Sequence, residues 1–252
     1  MKTTYFDIKR IGLLLRRQAV LQSHIMVIAA GAIIGLLLMV YLLITYTTPY
    51  LDKEVFLGLF LPFFYFVGFL FSSRVFHELD TPEKGYVYLT LPAATVEKWF
   101  SGWVISAVFY IIFSWIVVIL LNLFVLTVGD LLFDNTVVRI SLFDETLWNN
   151  FRIYLILQSI FLFGASYFRR HNFLKTLLSL ILFGFFISFF SGILGYLIFG
   201  TFDFSTIEPG SDVSAHLNFE ETIPVLSRFC FNYVLAPVFL FISYISLRER
   251  QI

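Results

Sequence analysis

Gly102–Val128 reads GWVISAVFYIIFSWIVVILLNLFVLTV, twenty-seven residues without Asp, Glu, Lys, Arg or His. About 20 consecutive apolar residues of α-helix cross the hydrocarbon of a bilayer. In lipid a helix satisfies its own backbone hydrogen bonds, so a stretch of this kind is read as a transmembrane helix. Five further stretches read the same way: Ile25–Tyr46, Val55–Ser73, Ile153–Phe168, Thr176–Phe202 and Phe229–Ser246. The fourth span in chain order, Ile153–Phe168, is the shortest and could extend back to Trp148. None of the six carries Asp, Glu, Lys, Arg or His.

Composition agrees. Of 252 residues, 59% are hydrophobic and only 13% charged, against roughly a quarter charged in a soluble domain. Too little polar surface exists to face water, and lipid must cover the rest. The expected fold is therefore an all-α polytopic transmembrane bundle of six spans, a single domain over residues 1–252, with no room for a second large soluble domain. The apolar run after Arg17 is longer than a signal-peptide core, so the first span is expected to remain uncleaved.

Orientation follows from the flanks. Thirteen lysines and arginines fall on one side: in the N-terminal segment, the second-to-third connection, the fourth-to-fifth connection and the tail. Lys53, Arg139, Arg152 and Arg228 fall on the other. The positive-inside rule puts the larger set in the cytoplasm, and an even number of spans then places both termini there. Trp99 and Trp103 at the inner end of the third span, and Trp148 at the outer end of the fourth, suit the headgroup region. Residues 5–20 place Ile8, Ile11, Leu14, Leu15 and Ala19 on one helical face, with Lys9, Arg10, Arg16 and Arg17 opposite. This is the pattern of an interfacial helix lying against anionic lipid.

The connection Ser72–Phe100, SSRVFHELDTPEKGYVYLTLPAATVEKWF, carries most of the remaining information. Asp80-Thr81-Pro82-Glu83 has the form of a helix start: a cap, a proline whose missing N–H costs nothing, and an acid near the positive dipole end. Pro92 is expected to start a second helix, which carries Glu97, Lys98 and Trp99 into the third span. The loop between the fifth and sixth spans, Asp203–Pro224, holds five acids and no Lys or Arg, and reads as a solvated outer loop without EF-hand spacing.

Chemistry is sparse. No GxxxxGK[ST] phosphate loop, HExxH or GxSxG occurs, so no catalytic residue, bound cofactor or metal is assigned, and the chain is not expected to be an enzyme. The four histidines (His24, His77, His171 and His216) are scattered, and Cys230 is a lone cysteine. Zero net charge gives no case for nucleic acid. Polar groups at depth are mild ones, Asn122, Gln158 and Asn232. Bare spans of this kind lack the buried carboxylate of ion-coupled transport, so the energy for any transport would arrive from elsewhere. Gly31 and Gly35 form a GxxxG, Ser191 and Gly195 a second small pair, and Pro62 and Pro237 can kink their spans.

The run Glu83-Lys84-Gly85, then Tyr88-Leu89-Thr90-Leu91-Pro92-Ala93-Ala94, then Glu97-Lys98-Trp99, resembles the motif that leads into the third span in permease subunits of bacterial type-2 ATP-binding-cassette exporters. Ala94 stands where that family often has Ser. The tail Tyr244-Ile245-Ser246-Leu247-Arg248-Glu249-Arg250 is similar to the family's aromatic-then-charged ending. The resemblance implies a multi-pass protein of the bacterial inner membrane. It also implies that the loop after the second span docks on a separate ATPase subunit, which holds ATP and Mg. By position the docking residues are Arg74, His77, Glu78, Glu83 and Lys84. A second permease chain, identical or different, is implied as partner, with substrate passing between first, second and fifth spans. The alternative reading is a membrane assembly or immunity-type protein that transports nothing.

Overall fold

The computed structural model describes residues 7–48, 50–133, 136–137, 139–141, 143–199 and 219–250, and they form an almost entirely helical bundle. The first part of the acidic loop, residues 203–218, and the first two residues of the expected interfacial helix lie outside the described residues.

Helix α1 runs Ile8–Thr47, opened by Asp7, whose carboxylate accepts from the Lys9 backbone N–H. Forty residues make a rod of about 60 Å, at 1.5 Å per residue, twice the hydrocarbon thickness. The expected interfacial helix and first span are thus continuous. Leu21-Gln22-Ser23-His24, where a break would fall, contains neither Gly nor Pro, so nothing local interrupts the hydrogen-bond ladder. Helix α2 spans Lys53–Arg74 around Pro62. The short helix α3, Pro82–Leu89, starts where the sequence motif puts it, with Pro82 in the first turn, although Thr81 makes no side-chain cap. Helix α4, Thr95–Val104, continues through a π-turn at Ile105–Phe109 into α5, Tyr110–Phe133.

Helix α6 covers Glu145–Tyr167, capped by Asp144, which accepts from the N–H groups of Thr146 and Leu147. It starts eight residues before the expected Ile153. Helix α7 spans Asn172–Phe199. Helix α8, Phe219–Phe229, passes through a second π-turn, Cys230–Val234, into α9, Leu235–Glu249. Pro237 lies just after that turn and cannot donate to the ladder, which accounts for the widened helix there.

Among the described residues, five stretches are long and apolar enough to cross a membrane: Ala30–Thr47, Lys53–Arg74, Thr95–Leu132, Asn172–Leu197 and Pro224–Glu249. Helix α6 is not one of them, because Asn149, Asn150, Arg152 and Gln158 dilute its hydropathy. It is instead central to the bundle, packing most extensively on α9, then on α2 and α7. Phe151, Tyr154, Gln158, Leu162 and Ala165 are buried along it. The neighbours come close through two glycines. A side chain at Gly68 of α2 would strike the Tyr154 and Tyr110 rings, and one at Gly164 would strike Thr176 of α7. Gly31 and Gly35, in contrast, have open space beside them, so their GxxxG makes no close approach among the described residues.

At one end of α2, Tyr50–Leu51 (β1) pairs in parallel with Thr136–Val137 (β2), Lys53 pairs with Asp144, and the Asn122 amide oxygen accepts from the Ile140 N–H. Burial pushes the Asp144 carboxyl up, but the Lys53 ammonium and the Leu147 and Thr146 N–H groups together hold it below the usual carboxylate range. The opposite end of α2 gathers the N-terminal segment, α3, the α6–α7 connection and the tail. These are the four cation-rich flanks of the sequence.

Candidate docking face and the charged cluster behind it

Helix α3 has two sides. Glu83, Lys84, Tyr86, Val87 and Thr90 face outward, with Tyr86 72% and Val87 56% exposed. Gly85 and Tyr88 face inward, and Tyr88 is 2% exposed. Exposed Tyr and Val beside two charged residues on a short helix form a surface suited to protein contact.

The five residues assigned to docking do not behave alike. Glu83 and Lys84 lie on the outer side of α3 and Arg74 is exposed at the end of α2. His77 turns back, its Nδ1 3.2 Å from the Arg74 carbonyl. Glu78 is engaged internally: Arg17 of α1 donates to both its carboxylate oxygens, at 2.8 and 2.9 Å. This forked geometry is the strong form of a charged hydrogen bond. Glu78 therefore holds α1 to the turn before α3.

Behind α3 the polar groups close on one another. The Tyr88 ring has the Arg17 guanidinium 6.0 Å from its centre and the Lys98 ammonium at 5.7 Å, distances at which a cation is drawn to an aromatic ring. Burial, with Glu78 adding to it, pushes the Tyr88 phenol well above its ordinary range, so it stays neutral between its cations. Glu97, fully buried, accepts from the Ala94 N–H at 2.9 Å and from the Asp7 N–H at 2.8 Å, with Arg10 3.9 Å away. One carboxylate thus joins the start of α1 to the start of α4. Trp99 extends the linkage, donating from Nε1 to Ser243 of α9 at 3.3 Å. Its role here is contact between helices as much as interfacial anchoring.

A second corner lies beside this cluster. Asn172 donates to Asp80 at 3.3 Å, and Arg250 donates to the carbonyls of Tyr167 and Phe168, at 2.6 and 2.8 Å, where α6 ends. Burial pushes the Asp80 carboxyl up, against the Asn172 hydrogen bond and the charges of His77, Arg250 and Arg74.

Deeper in the bundle, Tyr154 donates to the Ser106 carbonyl at 2.8 Å and Gln158 donates to the Ser106 hydroxyl at 2.7 Å. Ser106 lies in the π-turn, where the ladder is wider and carbonyls need other donors. Tyr110 donates to the Phe64 carbonyl at 2.6 Å, two residues after Pro62. These groups stitch irregular helices together in lipid. Gln158 is used this way and Asn122 ties α5 to the connection before α6, whereas among the described residues Asn232 donates within its own helix, to the Arg228 carbonyl. Among the described residues, no group of three or more His, Cys, Asp or Glu could hold a metal ion.

The Arg17–Glu78 pair has no local signature in the sequence, since 61 positions separate its members. Glu97 does: it stands three residues after the cap position Ala94 and reaches back to its N–H, half of a capping box. No protein-family model matches this chain, and neither a curated protein nor a solved structure matches it.

Proposed function

We propose that the chain is the membrane-spanning permease subunit of an ATP-driven exporter of the type-2 ATP-binding-cassette class, resident in a bacterial inner membrane. The observation that carries this reading is α3. It is a short helix outside the spans, with Glu83, Lys84, Tyr86 and Val87 exposed, and it is fixed from behind to α1 and α4 through Arg17, Glu78, Tyr88 and Lys98. A force applied to α3 by a docked ATPase would pass directly into two spanning helices. Hydrolysis, with its ATP and Mg, belongs to that partner.

Six crossings with both termini in the cytoplasm fit this reading. Asp7 bonds Glu97 and Arg250 bonds the end of α6 at the same end of the bundle, which favours an even number of crossings with α6 as the sixth. The substrate route would lie between two permease chains. In support, the interior of one chain is filled by packed rings, such as Phe64 against Tyr110, Phe151 and Tyr154. That same packed interior favours the second reading, an assembly or immunity-type protein that moves nothing.

Solubilising the tagged chain in mild detergent and looking for a co-purifying ATPase separates the two. The exporter reading expects an ATPase in the eluate, lost on the double charge reversal Glu83→Lys with Lys84→Glu while membrane insertion is retained. An eluate without ATPase favours the second reading, and unchanged association in the reversed variant removes Glu83 and Lys84 from the contact.

A further inference from the structure

The cations at this end of the bundle fall into two sets. Arg10 and Arg17 have carboxylate partners in Asp7, Glu97 and Glu78. Around the α6–α7 connection, Arg169, Arg170 and Lys175 are exposed, and among the described residues no carboxylate lies within 4.0 Å of them. Lys175 instead sits 5.7 Å over the Phe168 ring. Arg74, Arg248 and Arg250 add to the excess, against Asp80 and Glu249.

The backbone raises the excess further. Helix α7 begins at Asn172, so its unpaired N–H groups and positive dipole end lie among these side chains. No acid occupies its first turn, and Lys175 does. Cations at a helix N-terminus are unfavourable unless anions join them, and Asp80, which accepts from the Asn172 side chain, is one carboxylate against the three exposed cations. Directly along the helix, Leu174, Leu177, Leu178 and Ile181 are exposed at i, i+3, i+4 and i+7, the start of an apolar helix exposed on nearly every face, and Tyr167 is exposed at its foot. A cationic corner thus opens onto a bare apolar track. A free anion has no use for the track, and a soluble acidic protein could not reach along it.

We propose that Arg169, Arg170 and Lys175, with the N-terminal N–H groups of α7, bind the headgroup of an anionic phospholipid whose acyl chains lie along the Leu174–Ile181 track. The proposal rests on the membrane reading but not on any ATPase partner.

The test is a thermal-unfolding titration of the full chain in a zwitterionic detergent, with dioctanoyl phosphatidylglycerol compared with dioctanoyl phosphatidylcholine. Only the phosphatidylglycerol should raise the midpoint. A juxtamembrane cation contributes enough that its loss weakens headgroup binding about fivefold. Arg170→Gln, which leaves Arg169 and Lys175 to direct insertion, should therefore raise the half-saturating concentration about fivefold. The triple variant Arg169→Gln, Arg170→Gln, Lys175→Gln should raise it roughly a hundredfold if the three contributions add. An Arg152→Gln control, removing an exposed cation at the opposite end of the bundle, should titrate like the parent. Equal stabilisation by phosphatidylcholine, by millimolar inorganic phosphate, or in Arg170→Gln would overturn the assignment, as would an equal loss in the control. Absence of an ATPase from the pull-down would leave it standing.

Discussion

Two regions at the same end of the bundle use the same residue types in opposite ways. Behind α3, Arg10 and Arg17 meet Asp7, Glu97 and Glu78, and the cluster closes on itself. Around the α6–α7 connection, Arg169, Arg170 and Lys175 stand exposed without a carboxylate within pairing distance among the described residues. Charge count alone makes the N-terminal segment the more cationic of the two, and the natural place to expect anionic lipid. Geometry reverses that ranking in part, because two of its arginines are already satisfied internally. A cation's availability, not its presence, decides what it can bind.

The comparison breaks most visibly at Glu97. Its carboxylate is fully buried and serves the Asp7 and Ala94 N–H groups. Glu97→Ala strands both donors and leaves Arg10 without its buried partner, a loss of about 3 kcal/mol. Thermal unfolding in detergent should show a large fall in the midpoint, and proteolysis should become faster near Lys84 as α3 loosens. A variant as stable as the parent would mean that the cluster does not fix α1 to α4.

Arg17 sharpens the contrast at smaller cost. Its fork on Glu78 is partly exposed, with side-chain accessibilities of 29% and 15%, so solvent screens part of the attraction. Arg17→Ala should cost about 1–2 kcal/mol. The exchanged pair Arg17→Glu with Glu78→Arg should recover part of that, and a double-mutant cycle should give a coupling of about 1 kcal/mol. Additive losses would show that the contact contributes nothing of its own.

Much of this fold is legible in the chain because lipid imposes simple rules. The apolar runs, the helix start at Pro82 and the gathering of the cation-rich flanks at one end all follow from local composition. Three features do not. The join between residues 5–20 and the first span is invisible to a reading that looks for a polar break, since Gln22, Ser23 and His24 are polar yet compatible with helix. The early start of α6 is hidden because its first two turns, including Asn149, Asn150 and Arg152, are too polar to read as span. The inward turn of Glu78 depends on a partner 61 positions away. At the candidate docking site, sequence identifies the segment, but only the three-dimensional arrangement separates outward Glu83 and Lys84 from the internally paired Glu78.

The smallest expected effect belongs to the second region and is the more telling for being small. Arg170 is exposed and makes no ion pair among the described residues. Without lipid, Arg170→Gln should change stability by no more than about 0.5 kcal/mol, measured as the unfolding midpoint in a neutral detergent. Residues that hold a fold together register when removed from the bare protein; residues that face a ligand register only when the ligand is present. Arg17→Ala and Arg170→Gln, measured side by side with and without anionic lipid, should therefore give opposite patterns: a constant loss for the first and a lipid-dependent one for the second. A large loss at Arg170 in neutral detergent would move it into the structural set and erase the distinction between the two regions.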